Sequence, residues 1–198
     1  MKNSEMRDVS TYHDRLIDVV NSNRHRIDEG IDVLVEEIIS RGRHKRNVWL
    51  IGNGGSASTA EHFETDLAFI RHNNLRELPA ITAITSNSAL VTATSNDISY
   101  DDIFRILLER KANEGDLLVV ISASGNSKNL INAIHYSKKL GIATFSLLGF
   151  DGGKAKEISD NSLVVLSNIG EYGIVEDIHL SICHATSAKI LSKLMSSS

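Results

Sequence analysis

The first pattern along the chain is helical. From Tyr12 to Arg41 the apolar residues Leu16, Val19, Val20, Ile27, Ile31, Leu34, Ile38 and Ile39 recur at three- and four-residue intervals, with charges between them. The spacing predicts two helices over about residues 6–42, joined near Asn21 to Asn23. Because they precede the first strand, they are spare relative to a sheet sandwich and are expected to pack against another subunit. The pattern then changes. Short apolar runs at Val48 to Ile51, Ala80 to Ile84, Leu117 to Ile121, Ala143 to Leu148 and Leu163 to Leu166 have the length and composition of buried strands. Between them Ser58 to Phe69, Ser86 to Thr94, Asp101 to Asn113 and Lys128 to Leu140 have helical spacing, the last ending at Gly141 as a C-cap. A final helix covers about Gly173 to Leu194. Strands alternating with helices predict a three-layer α/β fold, a five-stranded doubly wound parallel sheet flanked by helices. In such a sheet ligands sit beyond the carboxyl ends of the strands, so function is to be sought just after each apolar run.

Composition narrows the class. A chain of 198 residues suits one domain with one core, with the sheet and its site over about residues 47–195. A formal charge of −4 gives no electrostatic footprint for nucleic acid, and the basic cluster Arg41 to Arg46 reads as the cationic end of a helix. The lone Cys183 cannot form an intramolecular disulfide, the opening MKNSEMRD is not an apolar leader, and no run of about 18 apolar residues exists. A cytoplasmic protein without a membrane span is expected. The terminal Ser196, Ser197 and Ser198 read as a frayed end.

Two loops carry candidate chemistry. The first strand runs into Gly52, Asn53, Gly54, Gly55 and Ser56, and the third into Ser122, Ala123, Ser124, Gly125, Asn126 and Ser127, each followed by a helix. Glycines, hydroxyls and the unpaired N–H groups of a helix start make a neutral cradle for a phosphate. No lysine stands where a P-loop needs it, so nucleoside triphosphate hydrolysis is not indicated. Either loop alone could be a helix cap, with Ser56, Ser58 or Ser127 satisfying orphan donors. Two at strand ends favour an anion. Gly52, Gly54 and Ala57 also fit the dinucleotide pattern G-x-G-x-x-A, but the second strand ends in Ile84, Thr85, Ser86 and Asn87, without the carboxylate that binds a ribose.

Several segments together resemble the sugar isomerase (SIS) domain family, and within it the sedoheptulose-7-phosphate isomerases. They are GNGGS at Gly52 to Ser56, Glu61-His62-Phe63, Ser95-Asn96-Asp97 with Asp102-Ile103-Phe104, Glu114-Gly115-Asp116, SASGNS at Ser122 to Ser127, Asp151-Gly152-Gly153-Lys154, and EDIHLSICH at Glu176 to His184. The resemblance implies a flavodoxin-like strand order and a homotetramer acting on a phosphorylated sugar. It implies that Ser122, Ala123, Ser124, Asn126 and Ser127 hold the phosphate, while Asn53, Gly54, Ser56, Asp97 and Glu176 meet the sugar. It also implies a zinc site of His62, Asp66, Glu176 and His184, with Asp66 and His184 as the acid/base pair. The chemistry asks for such a pair independently: ketose to aldose conversion moves a proton between adjacent carbons through an enediol, and a second group must serve the oxygens.

The chain departs from the family at three points. Asp66 stands where glutamate is usual, about 1.5 Å shorter in reach. Glu176 replaces a glutamine, and Ile70 occupies the place of an arginine for which Arg71 or Arg76 is the candidate substitute. His179, five residues before His184, is expected to be structural; Asp177, seven before it, is a candidate to support it. Cys183 reads as a small buried residue. Two other functions stay open: a non-catalytic SIS protein acting as a regulatory module, as the family's replication-initiation-associated members do, and an isomerase of another phosphosugar.

Overall fold

The computed structural model describes residues 9–72 and 78–196. Five parallel strands, β1 (Asn47–Gly52), β2 (Ala80–Ala83), β3 (Leu117–Ser122), β4 (Ala143–Phe150) and β5 (Asn161–Leu166), lie in the order β2-β1-β3-β4-β5. Among the described residues seven α-helices flank them: α1 (Val9–Arg43), α2 (Gly55–His72), α3 (Ser88–Asp97), α4 (Ile103–Lys111), α5 (Lys128–Lys139), α6 (Gly153–Ile158) and α7 (Tyr172–Ser196). This is the flavodoxin-like order. The chain moves outward from β1 to β2 and then crosses back to β3, so winding reverses between β1 and β3. At that switch point the carboxyl ends of the two strands part and leave a crevice.

Strand residues alternate between two cores. Val48 and Leu50, Leu117, Val119 and Ile121, Phe145 and Leu147, and Leu163 and Val165 join the residues of α1, α2 and α7. Trp49 and Ile51, Leu118 and Val120, Leu148, and Val164 face the opposite way, onto the helices of the other layer. Period-two side chains buried on both faces explain why each run reads as continuously apolar.

The two expected N-terminal helices are one helix of 35 residues, about 52 Å long. The polar stretch from Asn21 to Asn23 does not break it, because the side chains of Ser22 and Asn23 find partners. Ser22 donates back to the Asp18 carbonyl, and the buried Asn23 donates to the carbonyls of Val19 and Leu166 while accepting from Leu166 N–H. Asn23 thereby satisfies both backbone groups of Leu166, at the end of the edge strand β5. Nor is the helix spare: Val19, Ile31, Leu34, Val35, Ile38 and Ile39 are buried in the core of its own sheet. Arg41 and Arg43 fall in its last turn, as the basic cluster suggested.

Most remaining boundaries lie within a few residues of expectation, and Gly141, at φ +72°, ends α5 as predicted. The short α6 was not anticipated, since six residues are too few to display a period. Among the described residues no helix is long and apolar enough to cross a membrane.

Candidate active site

Both glycine- and serine-bearing loops open at the switch point. The loop after β3 is rigid. Ser122 Oγ accepts from Gly125 N–H at 3.1 Å and Ser124 Oγ from Asn126 N–H at 3.3 Å. The Asn126 amide donates to the Ser124 carbonyl and accepts from Lys154 N–H, while Gly125 O accepts from Ala155 N–H, tying the loop to the start of α6. Gly125 has φ +62°, and a Cβ there would stand 2.1 Å from the Gly152 carbonyl oxygen. Only glycine fits. Ser127 occupies the N-cap position of α5, yet its side chain makes no capping bond, so capping does not account for it.

The loop after β1 is more closed. The N–H groups of Ser56, Ala57 and Ser58 bond the carbonyls of Asn53 and Gly54, so these three are not free for an anion as the sequence suggested. Ser56 is buried. The side chain of Asn53 leans toward the other loop, exchanging two hydrogen bonds with Asn129 in the first turn of α5. Asp97 is exposed at the end of α3, where its Oδ1 accepts from Asn96; among the described residues no bond joins it to either loop.

Helices α2 and α7 supply the remaining chemistry. His62 and Asp66 share one face of α2 at i, i+4 spacing, and α7 brings His184 against them. The two Nε2 atoms lie 3.0 Å apart; Asp66 Oδ1 is 3.6 Å from the first and Oδ2 3.9 Å from the second. At 3.0 Å one ring nitrogen must donate and the other accept, unless a cation lies between them. These three donors could hold a metal. A tetrahedral zinc with ordinary bond lengths has ligand-to-ligand edges of about 3.3 Å, close to the separations found, and three protein donors leave one position for a ligand. Both rings are about half exposed, at 50% and 51%, so the cluster is reachable from solvent.

Glu176 does not join this cluster. Eight residues before His184, it lies about 12 Å back along α7. Its carboxylate sits against Gly55, where a Cβ would come 2.4 Å from Oε2. His62, Glu176, Asp177, Thr59 and Gly55 instead line one groove of about 260 Å³ that connects the cluster to the β1 loop. Asp177 accepts from Tyr12 O–H at 2.6 Å, tying α1 to α7 rather than supporting His184. Burial, then the bond to Asp177 and its charge, pushes the Tyr12 hydroxyl up to about 12. His179 is fully buried and pushed down to about 4 by that burial, which fits a structural, neutral ring. Burial likewise raises the Cys183 thiol, with the charge of Asp66 adding to it, so it is no nucleophile. Ile70 is in the core, exposed Arg71 faces a separate cavity with Leu67, Ala68, Pro79 and Ile81, and Arg76 lies outside the described residues.

A doubly wound sheet with a serine loop at its switch point and a His/Asp cluster beside it defines a protein built to bind phosphosugars, and residues 11–149 match the SIS domain. The chain belongs to the SIS domain family, in its phosphoheptose isomerase branch. It is 35% identical over 184 residues to the phosphoheptose isomerase of Aliarcobacter butzleri (strain RM4018), covering 93% of this chain and 94% of that one. The enzyme of the same name from Helicobacter pylori (strain P12) is 36% identical over 165 residues, 83% of this chain and 82% of its own. The solved phosphoheptose isomerase of Neisseria gonorrhoeae superposes with a TM-score of 0.85 at 27% identity, over 93% of this chain and 97% of that one.

Proposed function

We propose that this chain is an aldose-ketose isomerase that converts sedoheptulose 7-phosphate to the seven-carbon aldose phosphate, D-glycero-D-manno-heptose 7-phosphate, through an enediol. The observation that carries the reading is the meeting of His62, Asp66 and His184, drawn from two helices, within 3.9 Å of one another. A scaffold or regulatory module needs the phosphate loop at most, and has no use for this cluster.

In this reading Ser122, Ser124 and Ser127, with the backbone around Ala123 and Asn126, grip the phosphate. Asn53, Gly54, Ser56, Glu176 and Asp97 serve the sugar hydroxyls. Asp66 takes the proton from C1 of the ketose and returns it to C2, while His184 carries the proton that passes between O1 and O2. The C1 alcohol becomes an aldehyde as the C2 ketone becomes an alcohol, so no outside oxidant is involved. His62, Asp66 and His184 are the residues that would hold a zinc ion, which supplies Lewis acidity at a carbonyl oxygen. We place the protein in the cytoplasm as a single-domain homotetramer without nucleic-acid or membrane partners.

The test is incubation of the protein with sedoheptulose 7-phosphate, with and without chelator, followed by NMR detection of the aldose. Turnover is expected for the wild type, and loss of turnover in a folded His184→Ala variant. Chelation is expected to abolish turnover and zinc to restore it. A wild type that is protected from thermal unfolding by phosphosugars but converts none of them would overturn catalysis and leave a binding module.

A further inference from the structure

Asn129 and Tyr100 belong to neither loop, yet both reach Asn53. The polarity of the contacts follows from one backbone group. Leu130 N–H can only donate, and it is shared between the Ser127 carbonyl and Asn129 Oδ1, the latter at 2.9 Å. That orients the Asn129 amide with its oxygen inward. Asn129 Oδ1 then accepts from Asn53 Nδ2 at 3.0 Å, and Asn129 Nδ2 donates to Asn53 Oδ1 at 2.9 Å. Since Asn53 Oδ1 can only accept, the Tyr100 hydroxyl, 3.0 Å away, must donate to it.

Counting bonds settles what remains. An amide oxygen has two lone pairs, and both on Asn53 are taken, by Tyr100 and by Asn129. Its nitrogen has two hydrogens, of which one goes to Asn129. A single N–H is left. Asn53 is half-buried and borders a groove of about 240 Å³ that Tyr100 also lines, so a ligand in that groove can reach its side chain. Asn129 is 1% exposed, which shields its side of the pair from water, whereas the bond from Tyr100 lies at the surface.

We propose that Asn129 and Tyr100 are positioning residues that lock Asn53 as a one-proton donor, so that the site selects a sugar phosphate offering an acceptor oxygen at that point. The clamp also fixes the spacing between the β1 loop and the first turn of α5, where the phosphate loop ends. This inference rests on the isomerase reading for its substrate but not for its geometry.

The experiment is a pair of double-mutant cycles, Tyr100→Phe and Asn129→Ala, each made alone and in an Asn53→Ala background, with KM and kcat for sedoheptulose 7-phosphate and the side-chain amide spectrum of ¹⁵N-labelled protein as readouts. Tyr100→Phe, which removes one hydrogen bond to Asn53, should raise KM about fivefold, and Asn129→Ala, which removes two, at least as much, each lowering kcat less. Both should shift the Asn53 side-chain amide signal. In the Asn53→Ala background each should have almost no further effect on KM. Effects on KM that persist at full size without Asn53 would mark Tyr100 and Asn129 as merely structural and overturn the proposal, as would an Asn53 amide signal unmoved by either change. If the wild type converts no substrate, the isomerase reading falls, and the amide signal alone decides the clamp.

Discussion

The phosphate loop and the His/Asp cluster are built on opposite plans. The loop is six consecutive residues whose hydroxyls and N–H groups bond one another and the start of α6, so its shape is local and stiff. The cluster joins residues 122 positions apart in the chain, and exists only because α2 and α7 pack side by side on one face of the sheet. In the proposed reading one region grips and the other reacts. A covalently local cradle tolerates little change in its own residues, whereas a cluster on two helices depends on everything that sets their crossing.

The largest expected effect divides the two regions by kinetic signature. Asp66→Asn keeps size and removes the base, and should cost about 10²- to 10⁴-fold in kcat with KM changed far less. Gly125→Ala forces a side chain into positive φ and onto the Gly152 carbonyl, and should raise KM for the sugar phosphate about 10- to 100-fold. Steady-state kinetics on both variants, with circular dichroism to verify folding, checks the division. Equal losses of kcat from the two changes would mean that the regions do not work separately.

How much of this could be read from the sequence follows the same line. The strands were legible because every buried position announces itself when both sheet faces are covered, as Val48 to Ile51 and Leu117 to Ile121 do. The loop was legible because its chemistry is contiguous. His62 and Asp66 were legible as a pair because helical geometry sets i, i+4 neighbours, but that His184 meets them came from family resemblance, not from any spacing. The place of Glu176 depends on where α7 crosses α2, which no local pattern encodes, and so its exclusion from the three-donor cluster is not legible in the sequence. Asn129 and Tyr100 were passed over. Asn129 lies two residues past the serine loop and gave a signal only by proximity; Tyr100 gave none. Asn21 to Asn23 misled for the reverse reason, since a polar stretch reads as a break unless its tertiary partner, the edge of β5, is known.

A smaller effect separates the regions by pH. His179 sits in α7, on the cluster's side of the molecule, and burial holds it neutral down to about pH 4. A histidine with a lowered folded pKa adds stability that is full above its unfolded value near 6.5 and is lost as pH falls toward 4. Thermal melts should therefore drop by several degrees over that window, and His179→Phe should flatten that dependence, on the order of 2–4 °C for each kcal/mol involved. The serine loop carries no ionisable side chain, so a change in phosphate protection across the same range would report the ligand's own second ionisation, at about 6. A melt that is flat in the wild type from pH 6.5 to 4.5 would remove His179 from this account.

The smallest effect is a comparison inside the loop itself. Ser122 Oγ accepts from Gly125 N–H and so helps to hold the turn, whereas the Ser127 hydroxyl does not cap α5. Ser122→Ala should cost both stability, about 1 kcal/mol for one buried hydrogen bond, and affinity for the phosphosugar. Ser127→Ala should leave the melting temperature within about a degree and, if the hydroxyl serves the phosphate as proposed, still raise KM several-fold, since it makes no capping bond. Equal stability losses from the two changes would show that Ser127 braces the loop as Ser122 does. The distinction between gripping and shaping would then fail at its finest grain, with the cluster untouched.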